Sequence, residues 1–174
     1  MKTALVFGSS GLVGSQLVNL LIKSPNYNKI KLFVRSPVKS DNSKIEVILT
    51  DFHNLSNYSN QIQGDDCFYC IGTTKKNSPD KSEYKRVELE IPKEIAQISK
   101  LNSVKTFTFI SSGYANPKHS GNYLRYKGLV EEELKKLKFD KLVILRPSFL
   151  IGKREESRIG EKIGIIIFKI LSPI

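Results

Sequence analysis

The sequence has no tryptophan, one methionine, two cysteines and two histidines in 174 residues. Two cysteines cannot build a disulfide framework, and no histidine lies near Cys67 and Cys70 to complete a four-ligand zinc site. On a strand, residues three apart point to opposite faces, so we interpret the two cysteines as core residues rather than a redox dithiol. We expect no metal site. We take residues 1–174 as a single domain that is large enough to fold without a disulfide or a metal to stabilise it.

The sequence also lacks an apolar run long enough to cross a bilayer, because the stretch 163–170 is interrupted by Gly164 and Lys169. The start, Met1-Lys2 followed by apolar residues, resembles a signal peptide, but a glycine-spaced loop follows it and no Ala-x-Ala cleavage pattern is present. We interpret this start as the first β-strand of a cytoplasmic protein.

Acidic residues are scarce: 17 Asp and Glu stand against 28 Lys and Arg, which gives a net charge of +11. Such an excess is compatible with nucleic acid, an anionic membrane surface or a phosphorylated ligand. The lysines are spread along the chain, and there is no basic tail, zinc-finger pattern or aromatic platform for single strands. We therefore favour a solvated basic surface over nucleic-acid binding.

Short apolar runs alternate with longer segments of helical period, which is the pattern of βα units around a parallel sheet. The predicted strands are Thr3–Phe7, Ile30–Val34, Ile45–Leu49, Asp66–Ile71, Thr106–Ile110 and Leu142–Leu145. The predicted helices are Leu12–Ile22, a short one at Leu55–Gln61, a long one at Ser82–Leu101, and Tyr123–Leu137. This order predicts an α/β fold with a doubly wound parallel sheet of the Rossmann type.

A glycine-rich loop joins the first predicted strand to the first helix. Glycine permits a tight turn and lets the backbone approach a pyrophosphate, whose charge is stabilised by the helix N-terminus. We predict a dinucleotide site formed by Gly8, Ser9, Ser10, Gly11, Leu12, Val13 and Gly14. The Gly-x-x-Gly-x-x-Gly spacing resembles that of extended and atypical short-chain dehydrogenase/reductases.

The end of the second strand bears on the choice of dinucleotide. A site selective for NAD usually has Asp or Glu there, hydrogen-bonded to the ribose 2′-hydroxyl. This chain has Arg35, whose guanidinium can stack on adenine and pair with a 2′-phosphate, and Ser36 and Lys39 can add donors. We therefore favour NADP(H) over NAD(H).

The ends of the third and fourth strands provide further cofactor candidates. Asp51 and Phe52 match the acidic-plus-apolar pair that the superfamily sets against the adenine ring. After the fourth strand come Ile71, Gly72 and Thr73, where glycine lets the main chain pass close to a ribose and threonine offers a hydroxyl.

Reduction of a carbonyl by hydride transfer needs a proton donor, and a tyrosine with a nearby ammonium can serve. Tyr-x-x-x-Lys on a helix brings the two together because residues i and i+4 share a face. The pattern occurs three times, at Tyr27/Lys31, Tyr114/Lys118 and Tyr123/Lys127. Only the last opens a helical segment, and we predict Tyr123 and Lys127 as catalytic residues that also contact the cofactor.

The fifth predicted strand ends in two serines at the same edge of the sheet. A hydroxyl there can bond to the substrate carbonyl and to the tyrosine; we assign this role to Ser112, with Ser111 as the alternative. His53 and His119 lie in polar, loop-like stretches, and no Ser-His-Asp or Cys-His arrangement competes.

Several motifs in order give the chain a specific resemblance. They are Gly-Ser-Ser-Gly-Leu-Val-Gly (8–14), Cys-Ile-Gly-Thr-Thr (70–74), Ser-Ser (111–112), Tyr-Leu-Arg-Tyr-Lys-Gly (123–128), Lys-Phe-Asp (138–140), Leu-Arg-Pro-Ser-Phe-Leu (145–150) and Arg-Glu-Glu-Ser-Arg (154–158) followed by Gly-Glu (160–161). With these motifs the chain resembles an atypical short-chain dehydrogenase/reductase of the Tat-interacting protein family, NADPH-binding oxidoreductase-like proteins.

The resemblance implies a set of roles for residues of this chain. NADP(H) would contact residues 9–13, Arg35 and residues 71–72, and Arg146-Pro147 would lie beside the nicotinamide. Tyr123 would donate the proton, and Lys127 would activate it and hold the nicotinamide ribose.

The chain ends at Ile174, where relatives continue for a few tens of residues that help close the site, so we expect a truncated chain or a reduced substrate lid. The expected function is an NADP(H)-dependent oxidoreductase that acts on a small carbonyl or alcohol. The alternative is a non-catalytic NADP(H)-binding sensor or protein-interaction module.

Overall fold

Six parallel strands form one sheet in the computed structural model, which describes residues 1–74 and 76–148. The strands are β1 (Lys2–Phe7), β2 (Tyr27–Val34), β3 (Ile45–Leu49), β4 (Asp66–Tyr69), β5 (Thr106–Ile110) and β6 (Lys141–Leu145). Their order across the sheet is β3-β2-β1-β4-β5-β6, and every neighbouring pair is parallel. The predicted doubly wound α/β fold is confirmed.

Helices connect these strands on both faces of the sheet. They are α1 (Leu12–Lys23), a 3₁₀ helix (Leu55–Gln61), α2 (Lys81–Lys85), α3 (Ile91–Leu101) and α4 (Asn122–Lys136). A π-helical turn, Arg86–Glu90, joins α2 to α3 without a break.

Alternation along β1 shows how the core is divided. Leu5 and Phe7 face one side and join the cluster under α2, α3 and α4, whereas Ala4 and Val6 face the other side and pack under α1. All four side chains are fully buried. A central parallel strand covered on both faces is apolar throughout, which is why β1 reads as an unbroken apolar run.

Two elements differ from the sequence-based prediction. The fourth strand ends at Tyr69 rather than Ile71, because β1 ends at Phe7 and offers no further partner after its carbonyl accepts the N–H of Cys70 at 2.8 Å. The long helix is not regular, because Pro92 has no N–H to bond to the carbonyl of Glu88 and the chain takes the π-helical turn there.

The strand order reverses beside β1. The chain passes from β1 outward to β2 and β3, then returns to β4 on the other side of β1. Loops at the carboxyl ends of β1 and β4 therefore diverge, and ligands of open α/β sheets bind in the crevice at such a reversal. Phe149, Leu150 and the predicted motif at 154–161 lie outside the described residues.

Candidate functional site

The glycine loop between β1 and α1 is tightly closed. Gly8 has φ +87°, and a Cβ there would lie 2.8 Å from the backbone of Cys70 and Ile71. A Cβ on Gly14 would lie 2.0 Å from the carbonyl oxygen of Gly8, whereas one on Gly11 would meet that oxygen at 3.4 Å. Gly8 and Gly14 thus bring the start of α1 against β1 and β4, at the predicted phosphate position.

The N-terminal end of α1 has the features of an anion site. Its N-cap is Gly11, no side chain caps the first turn, and the first turn carries no acidic residue. Backbone N–H groups and the positive end of the helix dipole therefore face the loop without a competing carboxylate. Ser9 is half-buried and Ser10 is exposed beside this end, and Leu12 and Val13 open the helix. These residues fit a pyrophosphate.

The loops after β2 and β3 lie at the same carboxyl edge of the sheet, beside the loop after β1. Arg35 and Ser36 are exposed directly after β2. Asp51 is exposed after β3, and its Oδ1 accepts the N–H groups of His53 at 2.9 Å and Asn54 at 3.4 Å. The hydrogen bond from His53 lowers the pKa of Asp51, so the carboxylate stabilises the turn as an anion.

Phe52 turns inward rather than out toward the crevice. It is 7% exposed, packs edge-on against Phe7 with ring centroids 6.4 Å apart, and has φ +59°. A bulky side chain rarely adopts this left-handed backbone, so the turn must be held by its surroundings.

The loop after β4 brings Ile71, Gly72 and Thr73 to the same edge. Gly72 is exposed, and the N–H of Thr73 donates to Glu88 Oε1 at 2.6 Å. Cys70, one residue past β4, has its pKa raised to about 11 by burial, and Cys67 is fully buried with its pKa also raised by burial. Both thiols are free and remain protonated near neutral pH.

Tyr123 and Lys127 lie on one face of α4, as predicted. The Lys127 Nζ lies 5.8 Å from the centroid of the Tyr123 ring and 4.9 Å from that of Phe109. Lys127 is 3% exposed and donates to the carbonyl of Ile110 at the end of β5, at 3.2 Å, whereas Tyr123 is 37% exposed. The tyrosine thus faces solvent at the carboxyl edge of the sheet while the ammonium lies beneath it.

The two serines after β5 have different surroundings. The hydroxyl of buried Ser111 donates to Glu131 Oε1, and Arg146 donates from Nε to the same oxygen at 2.9 Å and pairs through Nη2 with Oε2. Ser112 is half-buried in the turn that follows. Ser111 and Arg146 are therefore joined through a carboxylate of α4, and Ser112 is the serine outside this network.

Two buried carboxylates were not identified from the sequence. Glu88 Oε2 lies 3.1 Å from Lys127 Nζ, and Glu131 binds Arg146 and Ser111. Glu88 is 1% and Glu131 2% exposed. A signal was present: Glu88 falls on the apolar stripe with Tyr84, Ile91 and Ile95, where a charge is stable only with a partner.

Two other residues of the site were also missed. Arg86 donates from Nη2 to the carbonyls of Phe52 at 2.9 Å and His53 at 3.1 Å. Gly128 follows Lys127, and a Cβ there would lie 2.3 Å from the backbone N of Pro117. The contacts of Arg86 join segments 34 residues apart, and that of Gly128 joins a helix to the loop before it, so no helical or strand spacing indicates either one.

Comparison with known proteins identifies the family. The NAD(P)H-binding family model matches residues 8–163. The chain is 31% identical over 180 residues to "Protein FMP52, mitochondrial" of Coccidioides immitis, covering 95% of this chain and 73% of that protein. It is also 31% identical over 164 residues to Protein HTATIP2 of Rattus norvegicus, covering 92% and 67%. The chain therefore belongs to the NAD(P)H-binding family, and the resemblance to the Tat-interacting proteins is confirmed.

Solved structures show the same fold. The Bordetella bronchiseptica enzyme WbmH in complex with NAD+ superposes with a TM-score of 0.76 at 18% identity, over 91% of this chain and 59% of its own. A short-chain dehydrogenase/reductase superfamily protein from Agrobacterium tumefaciens with bound NAD gives 0.67 at 21% identity, over 83% and 48%. This chain thus spans about half to three fifths of the length of these two proteins.

The cytoplasmic location inferred from the sequence is contradicted. Relatives from Coccidioides immitis, Meyerozyma guilliermondii and Scheffersomyces stipitis are named mitochondrial. The N-terminal residues do form a strand, β1, as expected. A strand at the start of the chain is compatible with any compartment, so it gave no ground for a cytoplasmic location. Among the described residues, no helix combines the length and apolar character needed to cross a membrane.

Proposed function

We propose that this protein is an NADP(H)-dependent oxidoreductase of the short-chain dehydrogenase/reductase type that acts on a small carbonyl or alcohol. The observation that carries the proposal is the pairing of Tyr123 with the buried ammonium of Lys127 at the carboxyl edge of the sheet. This edge is also where the glycine loop meets α1.

The residues present fit a dinucleotide. The uncapped N-terminus of α1 would hold the pyrophosphate, Gly72 would allow a ribose to approach the loop after β4, and Lys127 would bond to the nicotinamide ribose. The bound cofactor would supply a hydride to the carbonyl carbon. Phe52 faces the core, so it would support the adenine pocket from behind rather than line it.

Proton transfer would fall to Tyr123. Its hydroxyl would donate a proton to the carbonyl oxygen as that oxygen gains charge, and the nearby Lys127 ammonium would stabilise the phenolate left behind. Ser112 would donate a hydrogen bond to the same oxygen and orient the substrate. Ser111 is the weaker candidate because its hydroxyl is engaged by Glu131.

The preference for NADP(H) would come from Arg35. Its guanidinium is exposed at the end of β2, where a 2′-phosphate would lie, with Ser36 beside it. Asp51 would accept hydrogen bonds from the adenine at the neighbouring turn. Arg146 is held by Glu131. It would therefore act indirectly, by fixing the end of β6 and with it the position of Pro147 beside the nicotinamide.

The first experiment is a parallel titration with NADPH and NADH, followed by a screen of small carbonyls for NADPH oxidation. Tyr123→Phe should retain NADPH binding and lose turnover, because the ring stays and the proton donor goes. Tyr58→Phe, on the 3₁₀ helix between β3 and β4, should retain both. Absence of NADPH and NADH binding by the unmodified protein would refute the proposal.

A second candidate function is an NADP(H)-binding sensor without turnover. It is favoured by one observation: two cations at the substrate end of the site, Lys127 and Arg146, are each paired with a buried carboxylate, Glu88 and Glu131 respectively. Such pairs would give both cations structural roles. Tight NADPH binding with no Tyr123-dependent oxidation across the carbonyl screen would support this second function.

A further inference from the structure

The π-helical turn Arg86–Glu90 sends a charged side chain to each end of the crevice. Residues two apart in a helix face different directions. Arg86 accordingly reaches the turn after β3, and Glu88 reaches the loop after β4. Turns of this kind are frequent at functional sites.

Arg86 holds the turn after β3, at the proposed adenine end of the site. Its Nη2 donates to the carbonyls of Phe52 and His53, and the carboxylate of Glu94 pairs with the same guanidinium. Phe52 has the unfavourable left-handed backbone, and its carbonyl is one of the two that Arg86 binds. The guanidinium therefore fixes a strained turn, and the residue before Phe52 in that turn, Asp51, is exposed.

Glu88 holds the loop after β4 and Lys127, at the proposed nicotinamide end of the site. Its Oε1 accepts the N–H of Thr73 at 2.6 Å, and its Oε2 lies 3.1 Å from Lys127 Nζ without a well-aligned hydrogen bond. The side chain is fully buried, and that of Lys127 is 4% exposed. A buried carboxylate in contact with both the loop at Gly72 and the site lysine fixes one relative to the other.

We propose that Arg86 and Glu88 are positioning residues for the two halves of the cofactor, Arg86 for the adenine half and Glu88, through Lys127, for the nicotinamide half. The inference rests on the proposed cofactor binding. It adds that two residues of a single helical turn have separate roles. Each residue supports one half of the site, and its replacement should leave the other half unchanged.

The test compares NADPH with its adenine half, adenosine 2′,5′-bisphosphate, by calorimetry. Glu88→Gln keeps an oxygen for the Thr73 N–H but loses the charge that holds Lys127. It should weaken NADPH about tenfold, the size expected for one lost charged contact, and leave the adenine half unchanged. Arg86→Gln should weaken both probes by the same factor.

Matched controls come from the same segment. Lys85 and Glu90 form an exposed ion pair with a 2.9 Å separation and contact neither end of the crevice. Lys85→Gln and Glu90→Gln should leave both affinities unchanged. If they weaken NADPH as strongly as Glu88→Gln, general loss of charge in this helix explains the effect and the inference fails.

A double-mutant cycle separates positioning from a merely structural role. In a Lys127→Met background, Glu88→Gln should have no further effect on NADPH affinity, because its effect passes through the lysine. The double variant removes both buried charges together, so it is expected to fold even if Glu88→Gln alone does not. Equal effects of Glu88→Gln in both backgrounds would overturn the inference.

Failure of the inference is distinguishable from failure of the proposed function. If the unmodified protein binds neither probe, the proposed cofactor is wrong. If it binds both but Glu88→Gln weakens both equally, or neither, the division between the two halves is wrong while the cofactor assignment stands.

Discussion

The carbonyl oxygen of Gly8 lies where a side chain on Gly14 would have to be: a Cβ built on Gly14 comes 2.0 Å from that oxygen. Gly8 directly follows β1, and Gly14 is buried in the first turn of α1. The contact sets how closely the helix N-terminus approaches the sheet. It is therefore a constraint of the fold as well as of the candidate phosphate site.

Gly14→Ala is expected to destabilise the protein strongly. A methyl group within 2.0 Å of a backbone oxygen can be accommodated only if α1 moves, which should cost at least about 3 kcal/mol, the upper range for overpacking. Gly11→Ala is the matched control, because its Cβ would meet the same oxygen at 3.4 Å. The loss there should be about 0.5 kcal/mol, from replacing glycine at an N-cap. Urea unfolding of both variants checks the contrast, and equal losses would contradict it.

Whether a feature of this site could be predicted from the sequence depends on how far apart in the chain the contacting residues lie. The glycine loop, the succession of strands and helices along the chain and the Tyr123/Lys127 face depend on local spacing, so they could be predicted. The pairing of Glu88 with Lys127 joins two helices, and the end of β4 depends on where β1 ends, so neither has a local pattern. The only trace was a carboxylate on an apolar stripe, which indicates a partner without identifying it.

Gly128, in α4, lies against the loop at residues 116–117. A Cβ there would lie 2.3 Å from Pro117 N and 2.4 Å from the carbonyl carbon of Asn116, so α4 packs directly on the loop that follows Ser112. Gly128→Ala should cost about 2 kcal/mol despite the better helix propensity of alanine, and it should displace this loop. We expect a lowered melting temperature. A melting temperature equal to or above that of the unmodified protein would contradict the close contact.

Arg35 tests the choice of cofactor. Arg35→Asp should lower NADPH affinity about tenfold or more, because it removes a charged hydrogen bond and adds repulsion, while NADH affinity should not fall. Lys105→Asp makes the same change in net charge at an exposed residue before β5, at the opposite edge of the sheet. It should leave the ratio of the two affinities unchanged. An unaltered ratio in Arg35→Asp, measured at fixed salt, would remove the argument for a 2′-phosphate.

Asp66, at the start of β4, should make the free energy of unfolding depend on pH. Its Oδ2 accepts the Tyr27 hydroxyl at 2.7 Å and the Lys2 ammonium at 3.0 Å, and the residue is 3% exposed. Burial by itself would raise the pKa of Asp66, but the hydrogen bonds from Thr106, Tyr27 and Lys2 outweigh it and lower the pKa below the usual 3.8. Burial, followed by the contact with Asp66, raises the pKa of Tyr27, which therefore remains a donor.

The sign of the effect follows from this direction. A carboxyl group whose folded pKa lies below its unfolded pKa contributes stability above the unfolded value, and that contribution is lost as the pH falls through the folded value. Asp66→Asn should therefore cost about 2 kcal/mol at pH 7, for lost charged hydrogen bonds, and progressively less below pH 3.8. Asp41→Asn, at an exposed site between β2 and β3, should cost little at any pH. Urea unfolding between pH 3 and pH 7 measures both, and a deficit for Asp66→Asn that stays constant over this range would show that packing, rather than the charge, is what the variant removes.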